Sequence, residues 1–218
     1  MTFRESVAGR PAWRDVAFNV ALFSAFAGHH SLFARTPLRR WVSRIGLGHL
    51  ERSAYVWVAS LMLVLVCARW RPIAGVAWEV TGIGVWLLWA GTLAGIGLTL
   101  RSAVLIDVWD LAGVHDASWR RRPQSRSPDF RIQGPYAWVR HPVYAGWFLI
   151  VFSVTPMTMT RLVFAVVSCA YVLIAIPLEE RSLRATSGGA YQRYMQQVRW
   201  RLLPWVYGAG WWMVGYSS

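Results

Sequence analysis

Arg140-His141-Pro142 opens a long apolar stretch and Glu179-Glu180 closes it. Between them, residues 142 to 178 are almost wholly apolar apart from Arg161, and Thr155-Pro156-Met157-Thr158 offers a turn near the middle. This pattern predicts an out-and-back hydrophobic hairpin that returns the chain to the bilayer face it left. A guanidinium and an imidazole are thereby set beside two carboxylates. Such a set can hold a charged amino group, an anion or sugar hydroxyls, and ionisable groups at a membrane are costly unless paired or used.

The neighbours of these groups narrow the chemistry. Pro142 suits the first position of a helix, with His141 just before it. Amides at such a start favour a carboxylate, and His141 and Tyr144, three apart, share a helix face. Glu179 and Glu180 can take an ammonium or ribose hydroxyls. Tyr136, Tyr144, Tyr191 and Tyr194 can stack on a purine or face a cationic centre. S-adenosylmethionine combines a carboxylate, an ammonium, a sulfonium, a ribose and an adenine, so it matches the whole set. No glycine-rich phosphate loop is present, which argues against a nucleoside triphosphate. Each residue also has an ordinary explanation: Arg140 as a membrane-edge anchor, Glu179-Glu180 paired with Arg181 and Arg184, the tyrosines as interfacial aromatics. Taken together and in this order, they specify a site.

The elements that must position this site are helices in a membrane. The 218-residue chain is 56% hydrophobic and only 15% charged, against about a quarter charged in an ordinary soluble domain. Expected spans run from Val16 to Ala34, Ala54 to Ala68 and Val76 to Leu100, with the fourth and fifth forming the hairpin from Pro142 to Leu178. A helix from Pro142 to Thr155 reaches only about 21 Å, so the first arm of the hairpin is short. The Trp-rich run from Leu202 to Tyr216 reads as interfacial, with a short sixth span as the alternative. The fold expected is therefore all-α and integral to the membrane, with five transmembrane helices, the last two a tight hairpin. It forms a single domain over 1–218, with a three-span part at 1–100 and the hairpin and C-terminal segment at 128–204.

The net charge of +13 is entirely arginine. Five arginines lie between Arg35 and Arg52, seven between Arg101 and Arg140, and five after Glu180. The alternate connections hold only Arg69 and Arg71, or Arg161. This asymmetry follows the positive-inside rule and places the N-terminus outside and the C-terminal segment in the cytoplasm. The same distribution disfavours nucleic acid as a partner. Cys67 and Cys169 sit in apolar runs as small hydrophobes, so neither a disulfide nor a metal site is expected.

The run Gly134-Pro135-Tyr136-Ala137-Trp138-Val139-Arg140-His141-Pro142-Val143-Tyr144-Ala145-Gly146 resembles the signature of the isoprenylcysteine carboxyl methyltransferase and phospholipid methyltransferase superfamily. Glu179-Glu180 followed by Leu183, Gly188, Tyr191, Tyr194, Val198, Arg199 and Pro204 extends the likeness. The resemblance implies an integral membrane enzyme using S-adenosylmethionine, with cofactor contacts at Arg131, Tyr136, Arg140, His141, Pro142, Tyr144, Glu179, Glu180 and Tyr191. A narrower resemblance, to the bacterial methanethiol S-methyltransferase branch, rests on three N-terminal motifs. These are His30-Ser31-Leu32-Phe33-Ala34-Arg35, Glu51-Arg52-Ser53 with Tyr55, and Arg69-Trp70-Arg71-Pro72. Thr155-Pro156-Met157-Thr158 and Leu173-Ile174-Ala175-Ile176 add to it, and Thr160-Arg161 departs from it. It implies a small or lipophilic thiol such as methanethiol as acceptor and the bacterial cytoplasmic membrane as location.

The acceptor end offers His29, His30, Glu79, Asp107 and Asp110 as polar residues in or near the spans. His30 is the candidate catalytic residue, because an imidazole can take a thiol's proton near neutral pH. A thiolate attacks a sulfonium methyl without a metal, so positioning and desolvation can suffice. Two other readings stay open: methylation of a lipidic carboxylate or amine, and a non-catalytic binding or transport component on the same scaffold.

Overall fold

Apolar runs of this length can satisfy their backbone in a bilayer only as helices, and helices are what form. The computed structural model describes residues 12–33, 51–106, 132–187 and 189–204. Its elements in chain order are α1 (Ala12–Phe33), α2 (Glu51–Arg69), β1 (Val76–Trp78), α3 (Ile83–Ile106), a 3₁₀ turn (Gly134–Ala137), α4 (Pro142–Phe152), β2 (Met157–Thr158), α5 (Met159–Thr186) and α6 (Ala190–Gln197). Two stretches, Ile83–Leu105 and Met159–Thr186, are long and apolar enough to cross a membrane. Outward-facing side chains agree with a membrane protein: Trp86 and Leu87 on α3 are 74% and 71% exposed, a surface suited to lipid rather than to water.

Two of the expected boundaries move. The third span starts at Ile83, not Val76, because Val76–Trp78 is a short strand paired antiparallel with Met157–Thr158. Gly75 and Gly82, with φ of +104° and +63°, bracket that strand, and a right-handed helix cannot run through left-handed residues. The returning helix does not end at the glutamates either; α5 continues to Thr186, so Glu179 and Glu180 sit inside it. The short first arm is observed: α4 has 11 residues, or about 16 Å of rise. The Trp-rich run beyond Pro204, Arg131, Asp107, Asp110 and the Arg120–Arg126 connection lie outside the described residues.

The chain divides into two compact units, each assembled from separate segments, with α5 contributing up to Tyr171 to the first and from Val172 to the second. In the first, Phe23 on α1 meets Phe26, Trp70, Phe164 and Tyr171 edge-on, at centroid distances of 5.7 to 6.5 Å. Edge-to-face packing of this kind adds to plain burial. The 70–80 segment is held by side chains that each bond both groups of one backbone residue. Asn19, fully buried, bonds Arg71 N and O, both at 2.9 Å. Thr160 bonds Ile73, and Thr155 bonds Val80, in the same two-way manner. Arg71 also pairs with Asp15 at 3.3 Å and lies 3.7 Å over the Phe18 ring.

In the second unit, α3 and α4 approach until their backbones touch. A Cβ added at Gly146 would lie 2.3 Å from Thr99 Oγ1 and 2.7 Å from Gly95 O, and one at Gly95 would lie 2.8 Å from Gly146 O. Small residues permit this close approach in membranes, where packing rather than water drives helix association. Gly146→Ala is therefore expected to force the helices apart and cost about 1 to 3 kcal/mol. Gly97→Ala, on α3 with nothing within 4 Å of the new methyl, should be neutral or mildly stabilising. Thermal unfolding of the two variants in one detergent measures the difference.

Candidate functional site

The site belongs wholly to the second unit, and the start of α4 organises it. Pro142 occupies the first helical turn with His141 as the preceding cap residue, as the sequence indicates. The His141 and Tyr144 rings share a face and stack, with centroids 5.6 Å apart and planes 12° from parallel. The amides just ahead of the helix are already used: Arg140 N donates to Trp200 O at 2.8 Å and His141 N to Arg201 O at 2.9 Å.

Glu179 and Glu180 come to the same place and do different things. The Glu180 side chain is completely buried among cations. Its Oε1 accepts from Arg140 Nε at 2.8 Å and faces His141 Nε2 at 3.4 Å. Its Oε2 accepts from Arg201 Nε at 3.1 Å and Nη2 at 2.9 Å. The Glu179 side chain is 44% exposed. Tyr144 Oη donates to its Oε2 at 2.9 Å, and His141 Nδ1 stands 3.9 Å from the same oxygen.

The C-terminal segment closes the site. Arg140 Nη1 donates to Val198 O at 2.9 Å and Arg199 O at 3.1 Å. Gly189, in a left-handed conformation at φ +89°, starts α6, which buries Tyr191 and Tyr194. Tyr194 Oη donates to Tyr136 O at 2.8 Å. The phenols stay protonated at ordinary pH. Burial, then the charge of Glu179, pushes Tyr136 up to about 12. Burial also drives Tyr191 and Tyr194 upward, seconded by Glu180 for Tyr191 and by Tyr136 for Tyr194.

Two buried donors in this cluster, Arg140 Nη2 and Tyr136 Oη, have no hydrogen-bond partner among the described residues. A buried donor left unmet costs about 1 to 3 kcal/mol, so a ligand oxygen there is favoured. With an exposed carboxylate at Glu179, the cluster offers anion-seeking donors together with a cation-seeking acceptor. It suits a ligand carrying both a carboxylate and an ammonium.

Of the residues singled out in the sequence, Tyr136, Arg140, His141, Pro142, Tyr144, Glu179, Glu180 and Tyr191 all fall in the second unit, in or beside this cluster. Arg131 is outside the described residues. His30 is carried by α1 of the first unit, exposed, with its ring 5.9 Å from that of Phe26. Glu79 is exposed ahead of α3. Arg201 was not foreseen. In sequence nothing sets it apart from Arg181, Arg184, Arg193 and Arg199, the other arginines that follow Glu180.

Residues 114–185 match the isoprenylcysteine carboxyl methyltransferase (ICMT) family model. The chain is 37% identical over 199 residues to the methanethiol S-methyltransferase of Mycobacterium tuberculosis, covering 89% of this chain and 80% of that one. It is 36% identical over 190 residues to the methanethiol S-methyltransferase of Crocosphaera subtropica, covering 86% and 74%. To methanethiol S-methyltransferase 2 of Bradyrhizobium diazoefficiens it is 38% identical over 189 residues, covering 84% and 71%. No solved structure is significantly similar to it. With its apolar helices, the class this defines is the membrane methyltransferases. The chain belongs to the isoprenylcysteine carboxyl methyltransferase family, on its methanethiol S-methyltransferase branch.

Proposed function

We propose that this methyltransferase takes its methyl group from S-adenosylmethionine and places it on the sulfur of a small or lipophilic thiol, methanethiol in the first instance. The observation that carries the acceptor is the similarity, over most of the chain, to proteins named for methanethiol S-methylation. The donor is supported by the orphaned Arg140 Nη2 and Tyr136 Oη together with the half-exposed carboxylate of Glu179. These residues fit a zwitterionic amino-acid end: Glu179, braced by Tyr144, for the ammonium, and Arg140 with Tyr136 for the carboxylate. His141, Pro142, Tyr191 and, by resemblance, Arg131 complete the lining. Glu180 contributes by holding Arg140 and His141 in place.

S-adenosylmethionine, when bound, supplies a sulfonium-activated methyl group. The chain's own work is to orient the donor, exclude water and admit the acceptor. His30, exposed on α1, is assigned to receive the thiol's proton, which an imidazole can do at physiological pH. A desolvated thiolate held in line needs no further activation.

As architecture, the proposal is one methyltransferase domain with five spans in a bacterial cytoplasmic membrane, the N-terminus outside and the C-terminal segment cytoplasmic. Arginine placement supports it. Purified protein in nanodiscs, given labelled S-adenosylmethionine with methanethiol, larger thiols, an ethanolamine lipid or a prenyl-cysteine, tests the reaction. Labelled thioether is expected in the headspace and extract of the thiol arms. Transfer to the amine or carboxylate with none to any thiol would mean that the acceptor class is wrong.

A further inference from the structure

We propose that Arg201 is a positioning residue of the donor site, acting through Glu180 on His141. The inference rests on reading the Glu179–Tyr144–His141 cluster as that site.

Charge balance alone does not call for Arg201. Arg140 already neutralises Glu180 one to one, at 2.8 Å and fully buried on both sides. A second arginine leaves the buried pair with one cation in excess, which is costly unless it secures something else. What it secures is orientation. The two oxygens of Glu180 have separate duties: Oε1 serves Arg140 and His141, and Oε2 serves Arg201 alone among the contacts above. A carboxylate's terminal torsion is broad and roughly two-fold, so a group held at one oxygen can pivot. Held at both, it presents Oε1 to His141 Nε2 in one direction.

From His141 the constraint passes on. Its ring stacks on Tyr144, its Nδ1 faces Glu179 Oε2, and Tyr144 bonds that same oxygen. Arg201 itself is fixed from behind. The segment carrying it is pinned by the Arg140 and His141 amides and by the Arg140 guanidinium on Val198 and Arg199. The next residue, Leu202, is buried with Ala145 and Ile176. The C-terminal strap thus delivers one guanidinium to the back of the carboxylate that sets the site's histidine.

The test uses the full chain in nanodiscs with Arg201→Gln and Arg201→Lys. Val66→Ala, a core truncation in the first unit, is the control for general loss of stability. Three quantities are read: melting temperature, S-adenosylmethionine affinity by calorimetry, and the His141 ring resonances of isotope-labelled protein without ligand. Arg201→Gln should weaken donor binding on the order of tenfold, as expected when a site is displaced by a fraction of an ångström, and shift the His141 resonances. Arg201→Lys should recover part of both, since an ammonium restores the charge but not the fork. Val66→Ala should lower the melting temperature and leave affinity and resonances unmoved. Wild-type His141 resonances in Arg201→Gln would overturn the proposal. So would an affinity loss that Val66→Ala reproduces at equal loss of stability. Should Arg201→Gln not fold, Arg201→Lys against Val66→Ala carries the same comparison. The donor-site reading fails separately, if Glu179→Ala and His141→Ala bind S-adenosylmethionine normally; the ligand-free resonances still report on Arg201.

Discussion

Glu180→Ala is expected to destabilise the protein by about 3 to 5 kcal/mol, the cost of removing one partner from a buried ionic group. The size follows from what is left behind. Arg140 loses its only carboxylate among the described contacts while remaining buried, and Arg201 loses both of its bonds to Oε2. Two guanidiniums then face each other across a cavity with no anion. Arg201 is 14% exposed and can turn partly toward solvent, but Arg140, completely buried, cannot. Glu180→Gln should cost less, because the amide keeps an acceptor for one arginine although it removes the charge. In thermal unfolding the alanine variant should melt lower by roughly 6 to 20 °C, at the few degrees per kcal/mol typical of a chain this size. A melting temperature near wild type would show that the cluster does not hold the unit together.

The same cluster shows what the sequence makes legible and where it stops. Pairing of the Arg-His-Pro end with the Glu-Glu end followed from hydrophobic run lengths alone, because an apolar hairpin has nowhere else to put its polar ends. That His141 and Tyr144 share a face followed from helical spacing, and their rings do stack. The short first arm was equally forced, since too few residues separate Pro142 from the turn. Adjacent glutamates, by contrast, read alike in sequence. Only the direction in which α5 turns separates a buried Glu180 from a half-exposed Glu179, and helix rotation is fixed by tertiary packing. Arg201 was missed for a related reason. Arginines after Glu180 all satisfy the positive-inside pattern, and nothing local marks the one that turns inward. The strand at Val76–Trp78 was lost in an apolar run because its partner, Met157–Thr158, is far along the chain. Periodicity over three residues cannot tell a strand from the start of a helix.

Glu179→Ala should do the opposite of Glu180→Ala: leave the fold nearly intact and weaken the donor. Its carboxylate is 44% exposed and bonded by one phenol, and solvent-screened pairs of this kind contribute little to stability. The melting temperature should therefore stay close to wild type. If the carboxylate receives the donor's ammonium, however, its removal forfeits a charge-assisted hydrogen bond worth about 1.5 to 3 kcal/mol. That corresponds to a loss of affinity of roughly ten- to over a hundredfold, and partial exposure places the expectation at the lower end. Glu179→Gln distinguishes charge from shape, because it still accepts from Tyr144 Oη but no longer attracts an ammonium. It should bind S-adenosylmethionine nearly as poorly as the alanine variant. Tyr144→Phe, which removes the brace and keeps the ring stacked on His141, should fall between Glu179→Ala and wild type. Calorimetry on the four proteins in one lipid environment gives the ordering. Unchanged affinity in both Glu179→Ala and His141→Ala would place the donor elsewhere, whatever the acceptor proves to be.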